Sequence, residues 1–378
     1  MPTGARLKGD TLKLEVYRIF IDLDKKMIIN KQESEALNIT RFVMSIFIVF
    51  FHAYTSVQIY DYWKDLPVYR GVARFFSLQI GEMGVPVFFL ISGYLFFGKY
   101  QQTWMYYKSK MQKRFYSLFV PYIFWNAFII AAYYVAESIP TIQTLFNEGG
   151  KLVHDFDLHD FLFAFWSHKG GNPILTQMWF VRDLLLLVIC APIIYLLARY
   201  AKFVAIFCFG LIWFVKWEVP NWESGLLFFF IGACFSIYGK SITEEVRKIA
   251  PFLFILTPLL LLADFLLSGT TTGFYVHRTL IFVGVFFIIA LVTVLIEKKK
   301  IHDIVFLTSG SFFLYIIHDP MIRFVRKFTL RWIDHTSEFQ AIAIYFAAVA
   351  IDVAVAYFVF WCLRKCAPGF LKWSTGGR

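Results

Sequence analysis

The feature that most constrains this chain is a series of apolar segments that recurs from near its beginning to near its end. Hydrophobic residues make up 59% of the 378 residues and charged residues 17%, whereas a soluble protein is about 25% charged. Phe alone occurs 46 times, which is too many for a water-facing surface to hide. A helix needs roughly 20 apolar residues to cross a bilayer, so the sequence predicts an all-α polytopic membrane protein.

The apolar segments predict about ten transmembrane helices. An even number of crossings puts both termini on one side, and Lys and Arg accumulate in cytosolic loops. With the N-terminus in the cytosol, the inner segments carry 24 Lys and Arg residues. The outer segments carry 11 when Lys216, Arg278 and Arg323, near the outer ends of their predicted spans, are counted with them. Both termini are therefore predicted to be cytosolic. The predicted spans are 39–57, 84–98, 116–135, 178–198, 203–216, 224–238, 249–268, 278–296, 304–325 and 340–363.

One membrane domain accounts for most of the chain. We predict a cytosolic N-terminal tail at 1–36, the membrane domain at 37–365 and a cytosolic C-terminal tail at 366–378. The stretch from Leu12 to Ile29 is amphipathic, which fits either a helix on the membrane surface or an ordinary solvated helix.

The charges and cysteines narrow the function classes further. The net charge of +11 does not indicate nucleic-acid binding, because the basic residues cluster in short loops between apolar segments. Cys362 and Cys366 are spaced i, i+4 and could bind a metal only with further ligands, so we interpret them as apolar packing. The longest external loop, 137–177, contains the run HDFDLHD at 154–160, whose spacing matches no known metal site. We predict no bound metal or cofactor.

Two ionisable residues, Arg41 and His52, lie inside the first apolar segment. They are eleven residues apart, and eleven steps of an α-helix return to within about 20° of the starting direction over roughly 16 Å. Both side chains therefore lie on one face of one helix. Ionisable residues in membrane helices usually face a protein interior or a water-filled cavity, so the pair predicts a site for an elongated polar ligand.

Each of these residues also has a structural interpretation. Arg41 lies at the inner end of its span and could extend to lipid phosphates, and His52 could be a buried histidine bonded to a backbone carbonyl. Their shared face weighs against both alternatives. Chemically, His52 suits a general base near neutral pH, and Arg41 suits bidentate binding of phosphate or carboxylate.

The first span contains an Arg that is followed, after ten intervening residues, by a His. This motif resembles that of the acyltransferase-3 family of integral membrane acyltransferases. Further motifs resemble that family in the same order. They are VPVFFLISGYLFF at 85–97, KSKMQKRFYSLFVPYIFW at 108–125, QMWFVRDLLLLVICAPIIYLL at 177–197 and SFFLYIIHDPMI at 311–322. The resemblance covers about residues 35 to 365.

The resemblance implies ten core spans and transfer of an acyl group, usually acetyl, from acyl-CoA to sugar hydroxyls of cell-envelope glycans. It assigns the family's catalytic roles to Arg41 and His52. The family's Arg-x-x-Arg element is replaced here by Lys110 and Lys113, followed by Arg114. Lysine holds phosphate as a point charge without the bidentate fork of arginine. These three residues are predicted to bind the CoA head group, with simple anchoring of topology as the alternative.

The remaining candidates have weaker signals. Trp179 could stack on a sugar or belong to an interfacial aromatic belt. Arg182 is a candidate for substrate binding. Arg182 and Asp183 lie near the start of the fourth span and point about 100° apart, so the structural interpretation predicts that they pair with other helices rather than with each other. Glu82 is either an interfacial charge or a partner of Arg41 or Arg74.

His318 is the last candidate for contact with substrate. Together with Asp319 it interrupts an apolar run before Pro320. Proline removes a helix hydrogen bond, which suits a polar break that lines a cavity.

The sequence therefore predicts a multi-pass enzyme of the cell inner (plasma) membrane, with acyl-CoA as co-substrate and a polysaccharide or lipid-linked sugar as acceptor. His52 would act as a general base or accept the acyl group transiently. The rival interpretation is a transporter or flippase for an anionic lipid-linked sugar. Many transporters contain internal repeats, and this chain has no recognisable internal symmetry.

Overall fold

The computed structural model describes residues 29–55, 65–98, 103–139, 151–168, 170–215, 222–332 and 337–377. Its described part is all-helical, as predicted. The amphipathic stretch in the predicted N-terminal tail lies outside the described residues, apart from Ile29 at its end.

Sixteen α-helices follow one another along the described residues. In chain order they are α1 Lys31–Thr55, α2 Pro67–Arg74, α3 Gly84–Phe97, α4 Trp104–Arg114, α5 Val120–Glu137, α6 Leu158–Ala164, α7 Trp179–Ile189, α8 Ala191–Tyr200, α9 Lys202–Val215, α10 Trp222–Ile237, α11 Ile242–Lys248, α12 Ala250–Leu266, α13 Thr271–Glu297, α14 Val305–Trp332, α15 Glu338–Cys366 and α16 Pro368–Ser374. The π-helical turns Phe75–Ile80 and Phe115–Phe119 and the 3₁₀ turn Gly81–Met83 link some of them.

Six continuous helical segments of the described chain are long and apolar enough to cross a membrane. Two bent pairs, α7 with α8 (65°) and α10 with α11 (99°), raise the number to eight if each pair is one span. The predicted spans at 203–216 and 249–268 correspond to α9 and α12, which are shorter apolar helices. The six segments are Lys31–Tyr54, Pro67–Phe97, Trp104–Glu137, Thr271–Glu297, Val305–Val325 and Glu338–Cys366.

Many large apolar side chains lie on the outside of the bundle. This arrangement is costly in water but favourable where lipid tails surround the helices. The exposed side chains therefore fit the multi-pass membrane fold. Clear examples on α9, α12 and α15 are Phe203, Val204, Phe207, Phe252, Ile255 and Phe358.

Helices α3 and α10 approach each other through glycine. A Cβ atom on Gly93 would overlap the backbone carbonyl of Phe229, and one on Gly232 would overlap that of Leu90. Small residues let membrane helices pack backbone to backbone. Aromatic side chains fill the surroundings of this contact, because Phe228, Phe229 and Phe230 are all fully buried.

Helix α1 lies inside the bundle against α13, α14 and α15. Its first turn is capped by Asn30, whose Oδ1 accepts a hydrogen bond from the Glu33 backbone at 2.7 Å. The buried carboxylate of Glu33 accepts hydrogen bonds from Tyr94 (2.7 Å) and Ser241 (2.6 Å). The start of α1 is therefore fixed to α3 and to the residue before α11.

Pro320 lies within α14, and the helix continues through it. Proline has no N–H to offer the carbonyl four residues earlier, which is that of Ile316. Gln177 supplies the missing donor, since its Nε2 lies 2.5 Å from the Ile316 oxygen. Pro320 thus removes one helix hydrogen bond, as expected, but Gln177 from a neighbouring segment supplies another donor. Helix α14 therefore continues through the proline.

We predict that Gly93→Ala and Gly232→Ala each lower the thermal unfolding temperature of the purified protein. Each added methyl group would meet backbone that cannot turn aside, and overpacking typically costs about 1–3 kcal/mol. Gly210→Ala on α9 is the matched control, because a Cβ there meets nothing within 4 Å. If all three variants unfold at the wild-type temperature, the backbone contact of α3 with α10 is not the close one described.

Candidate active site

Arg41 and His52 both lie on α1, a continuous helix from Lys31 to Thr55. Their separation along one uninterrupted helix puts them on the same face, about three turns apart. His52 lies near the end of α1, and α14 packs beside the helix. Arg41 lies in the middle of α1 and His52 near its C-terminal end, so the two residues belong to two regions along the helix.

At the far end of α1, the His52 ring contacts a carboxylate from α14. Its Nδ1 lies 3.1 Å from Oδ1 of Asp319, which is only 6% exposed. Arg323, one turn further along α14, holds the same carboxylate through both oxygens, at 3.1 and 3.0 Å. A bidentate Arg–carboxylate contact fixes geometry as well as charge. Asp319 is therefore fixed in position beside His52.

His318 adds a second imidazole to this end. Its ring centroid lies 4.9 Å from that of His52, and the side chain is completely buried. Its Nδ1 lies 2.7 Å from the Tyr315 carbonyl oxygen. A carbonyl oxygen can only accept a hydrogen bond, so Nδ1 of His318 carries the proton and donates the hydrogen bond. Nε2 of His318 is then a buried acceptor, and it has no partner among the described residues.

The contact with Asp319 also determines what the His52 ring can do. Because the carboxylate accepts a hydrogen bond from Nδ1–H, the neutral ring keeps the lone pair on Nε2. A carboxylate in this position orients the imidazole and stabilises the imidazolium that forms when Nε2 takes a proton. This is the arrangement of a general base or of an imidazole nucleophile.

In the middle of α1, Arg41 belongs to a polar group shared by α1 and the residues before α14. It donates to Asn38 Oδ1 at 2.5 Å, and Asn38 donates to Asp303 at 3.2 Å. Asp303 also accepts a hydrogen bond from Thr308 at 2.7 Å. The Nε atom of Arg41 is buried and has no hydrogen-bond partner among the described residues, so Arg41 keeps a donor for a ligand.

A cavity of about 400 Å³ opens beside Arg41. Its lining combines apolar side chains with two guanidinium groups and includes Tyr315, whose ring centroid lies 6.0 Å from that of His318. His52 is not part of the lining, but Tyr315 and His318 connect the cavity with His52 through ring contacts. The polar or charged residues of the lining are Asn38, Arg41, Ser92, Arg114, Asp303, Thr308, Ser309, Ser311 and Tyr315.

The three predicted CoA-binding residues differ in position. Arg114 lines the cavity and its guanidinium lies 5.6 Å from the Phe96 ring. Lys110 donates to the Phe96 carbonyl at 3.2 Å. Lys113 is exposed on α4. Only Arg114 of the three therefore faces the same space as Arg41.

The predicted candidates on α7 are engaged within the protein. The Trp179 ring packs against Phe89, with centroids 6.3 Å apart. Arg182 donates to Asp183 at 2.8 Å and to the carbonyls of Trp166 and Gly171. The prediction that Arg182 and Asp183 pair with other helices is wrong. The flexible arginine side chain reaches the neighbouring carboxylate in spite of the 100° between the two Cβ directions, and it ties α7 to the preceding loop.

Glu82 and the loop before α7 also have protein partners. Glu82 is 34% exposed and lies 3.0 Å from Nε2 of His277, a partner that the sequence did not indicate. In the loop, Asp157 and Asp160 form a capping box at the start of α6, and Lys151 contacts both carboxylates. The hydrogen bond with Lys151 lowers the pKa of Asp160. Helix capping thus accounts for the acidic run, although ligand atoms of Asp157, His159 and Asp160 lie within 4.8 Å of one another.

Comparison with known proteins gives the class of enzyme. The family model described as "Acyltransferase domain" (Acyl_transf_3) matches residues 34–361, which is most of the chain. This protein therefore belongs to the acyltransferase-3 family and is an acyltransferase of a multi-pass membrane type.

A relative is the succinoglycan biosynthesis protein ExoH of Rhizobium meliloti (strain 1021), to which the chain is 23% identical over 361 residues. The alignment covers 91% of this chain and 92% of the relative. No solved structure matches the chain.

We predict that Asp319→Asn lowers acyl transfer by about 10²–10⁴-fold while the protein still folds. The amide cannot stabilise an imidazolium on His52, and it can turn its N–H₂ towards Nδ1 and favour the wrong tautomer. Activity per folded protein, measured after gel filtration in detergent, checks this result. An Asp319→Asn enzyme with the wild-type rate would contradict a role for the carboxylate in the reaction.

Proposed function

We propose that this enzyme transfers an acyl group, most simply acetyl, from acyl-CoA to a sugar hydroxyl of a cell-envelope polysaccharide or lipid-linked glycan. The observation that carries the proposal is the position of His52. Its Nδ1 is held by Asp319, and it lies on the same helix as Arg41, which lines a cavity suited to an anionic, elongated donor.

The donor end is proposed from charge and size. Arg41 and Arg114 face one cavity, and guanidinium groups suit phosphate oxygens. The volume of about 400 Å³ is near the low end of the roughly 300–1,000 Å³ that small-molecule sites occupy. The acyl-pantetheine arm is therefore proposed to lie inside, with the nucleotide outside, near Lys110 and Lys113.

The thioester must then pass Tyr315 to reach His52. The Tyr315 hydroxyl donates to the Gln177 backbone carbonyl, and its ring lines the cavity. Tyr315 is buried, so its rotation requires neighbouring side chains to move with it. We propose that Tyr315 turns aside when the donor binds, which brings the acyl carbonyl next to His52.

In the first of two possible routes, His52 acts as the general base. Nε2 takes the proton of the acceptor hydroxyl while its oxygen attacks the thioester carbonyl. The C–S bond then breaks, and the CoA thiolate takes the proton from the His52 imidazolium, so that no proton is gained or lost overall. In the alternative, Nε2 itself attacks and an acyl-imidazole forms before the hydroxyl attacks it. Asp319 stabilises the charged imidazole in both routes.

The acceptor and the membrane arrangement are proposed from the family and the relative. The relative's name links it to succinoglycan, a polysaccharide, and the proposed acceptor here is a polysaccharide or its lipid-linked precursor. If α9 and α12 also cross the membrane, the ten crossings put both termini on one side, and the distribution of Lys and Arg favours the cytosol as that side. We propose that the enzyme lies in the inner membrane of the cell. Acyl-CoA would then enter the cavity beside Arg41 from the cytosol.

The direct test of the proposal is acyl transfer by purified protein in nanodiscs. We predict that wild-type protein releases CoA from acyl-CoA and that His52→Ala abolishes this release, because the change removes both base and nucleophile. His302→Ala is the control, since His302 has no place in the proposed site. CoA release by His52→Ala at the wild-type rate would rule out both routes.

A second prediction separates the two regions of the donor site. Arg114→Gln should raise the apparent KM for acyl-CoA by about tenfold or more, because a charge-assisted hydrogen bond is lost. Lys108→Gln is the matched control, since Lys108 is exposed on the same helix and does not line the cavity. Equal KM values for both variants would place the CoA phosphates elsewhere.

A further inference from the structure

A second group of charged side chains lies apart from the His52–Asp319 contact. Asp264 accepts hydrogen bonds from His277 Nδ1 at 2.9 Å and from Gln79 Nε2 at 2.8 Å, and it faces Arg74 at 3.5 Å. The other ring nitrogen of His277 lies 3.0 Å from Glu82. We call these five residues, which come from three membrane segments, the Glu82–Asp264 cluster.

Burial within the cluster is graded. The Asp264 side chain is 1% exposed and Gln79 is buried, whereas Arg74 and Glu82 are 25% and 34% exposed. The Nε atom of Arg74 is buried and has no partner among the described residues. Leaving a buried donor unpaired is costly, and the rest of the Arg74 guanidinium faces Asp264 and Ser268. Arg74 and Glu82 are the partly exposed members of the cluster, so they are the ones that a ligand can reach.

The backbone at Glu82 is irregular and lies against α1. The π-helical turn Phe75–Ile80 and the 3₁₀ turn Gly81–Met83 separate α2 from α3, and π-helical turns are frequent at functional sites. A Cβ on Gly81 would lie 2.9 Å from the Phe47 carbonyl and 3.2 Å from Phe51 Cβ. Phe51 is the residue before His52, and Gly81 is the residue before Glu82. The contact of Gly81 with Phe51 therefore brings the backbone next to Glu82 close to the helical turn that carries His52.

The cluster and His52 also belong to the same end of the bundle. Asp264 lies near the end of α12 and His277 in the first two turns of α13, and the turn that joins them lies beside Arg74, which contacts Ser268. Arg41 and its cavity lie about three turns closer to the N-terminus of α1 than His52. The donor cavity and the cluster therefore approach His52 from different directions.

The chemistry of the cluster fits a neutral polyol. Its two carboxylates accept hydrogen bonds from hydroxyl donors, and its arginine donates to hydroxyl acceptors. The two carboxylates face Arg74 and the His277 ring, which contacts one carboxylate through each nitrogen, so the cluster has no excess positive charge to hold a phosphate. We propose that the Glu82–Asp264 cluster binds the sugar ring of the acceptor through Glu82 and Arg74 and presents a neighbouring hydroxyl to His52. This inference rests on the proposed function.

The test compares two readouts for the variants Glu82→Gln and Arg74→Gln. One is acyl decoration of the cell's own glycans per folded enzyme. The other is CoA release from acyl-CoA by the purified protein without glycan, where water takes the acyl group. The variants should lose about tenfold or more of the glycan decoration, because hydrogen bonds with charged partners are lost. CoA release without glycan should persist, because His52 and the donor cavity are intact.

Glu245→Gln is the matched control for removal of a carboxylate. Glu245 is 30% exposed and pairs with Lys248 at 2.8 Å, outside both sites, so both activities should stay at the wild-type level. Parallel loss of both activities in the two cluster variants would show a structural role and overturn the proposal, as would wild-type decoration in both. If the wild-type protein neither releases CoA nor decorates glycans, the proposed function itself fails and this assignment falls with it.

Discussion

The contact between His52 and Asp319 is the interaction on which the site depends. A carboxylate inside a membrane bundle is costly unless it is paired and hydrogen-bonded, and Asp319 has both His52 and Arg323. The arrangement fixes the imidazole tautomer and couples α1 to α14. Removing the carboxylate therefore changes the chemistry of His52 as well as the packing of two helices.

Helix α1 links the separate parts of the proposed mechanism. Glu33 fixes its first turns to α3, Arg41 faces the cavity in its middle, and His52 lies near its end. A continuous helix is rigid over this distance, so the donor phosphates and the thioester can be held at a constant separation. Such positioning contributes to rate because bound groups no longer need to be brought together.

Periodicity predicted the part of the site that lies on one helix. The eleven-residue spacing of Arg41 and His52 is a local property, and so is the apolar pattern that predicted an all-helical membrane fold. The partner of His52 could not be predicted, because Asp319 lies far along the chain and its approach depends on how α14 packs. The same limit explains Glu82, whose partner His277 is brought near by tertiary contacts. The partner of Arg182 was predicted wrongly because the prediction used only the direction of its Cβ atom. The arginine side chain is long enough to reach the carboxylate of the next residue.

A structure of the enzyme in nanodiscs with a non-hydrolysable acyl-CoA analogue would show directly whether the donor reaches His52. We expect the pantetheine arm in the cavity beside Arg41 and Arg114, Tyr315 turned away, and the acyl carbonyl carbon next to Nε2 of His52. An analogue bound elsewhere, or an arm that ends on the cavity side of an unmoved Tyr315, would contradict the proposal that the donor reaches His52.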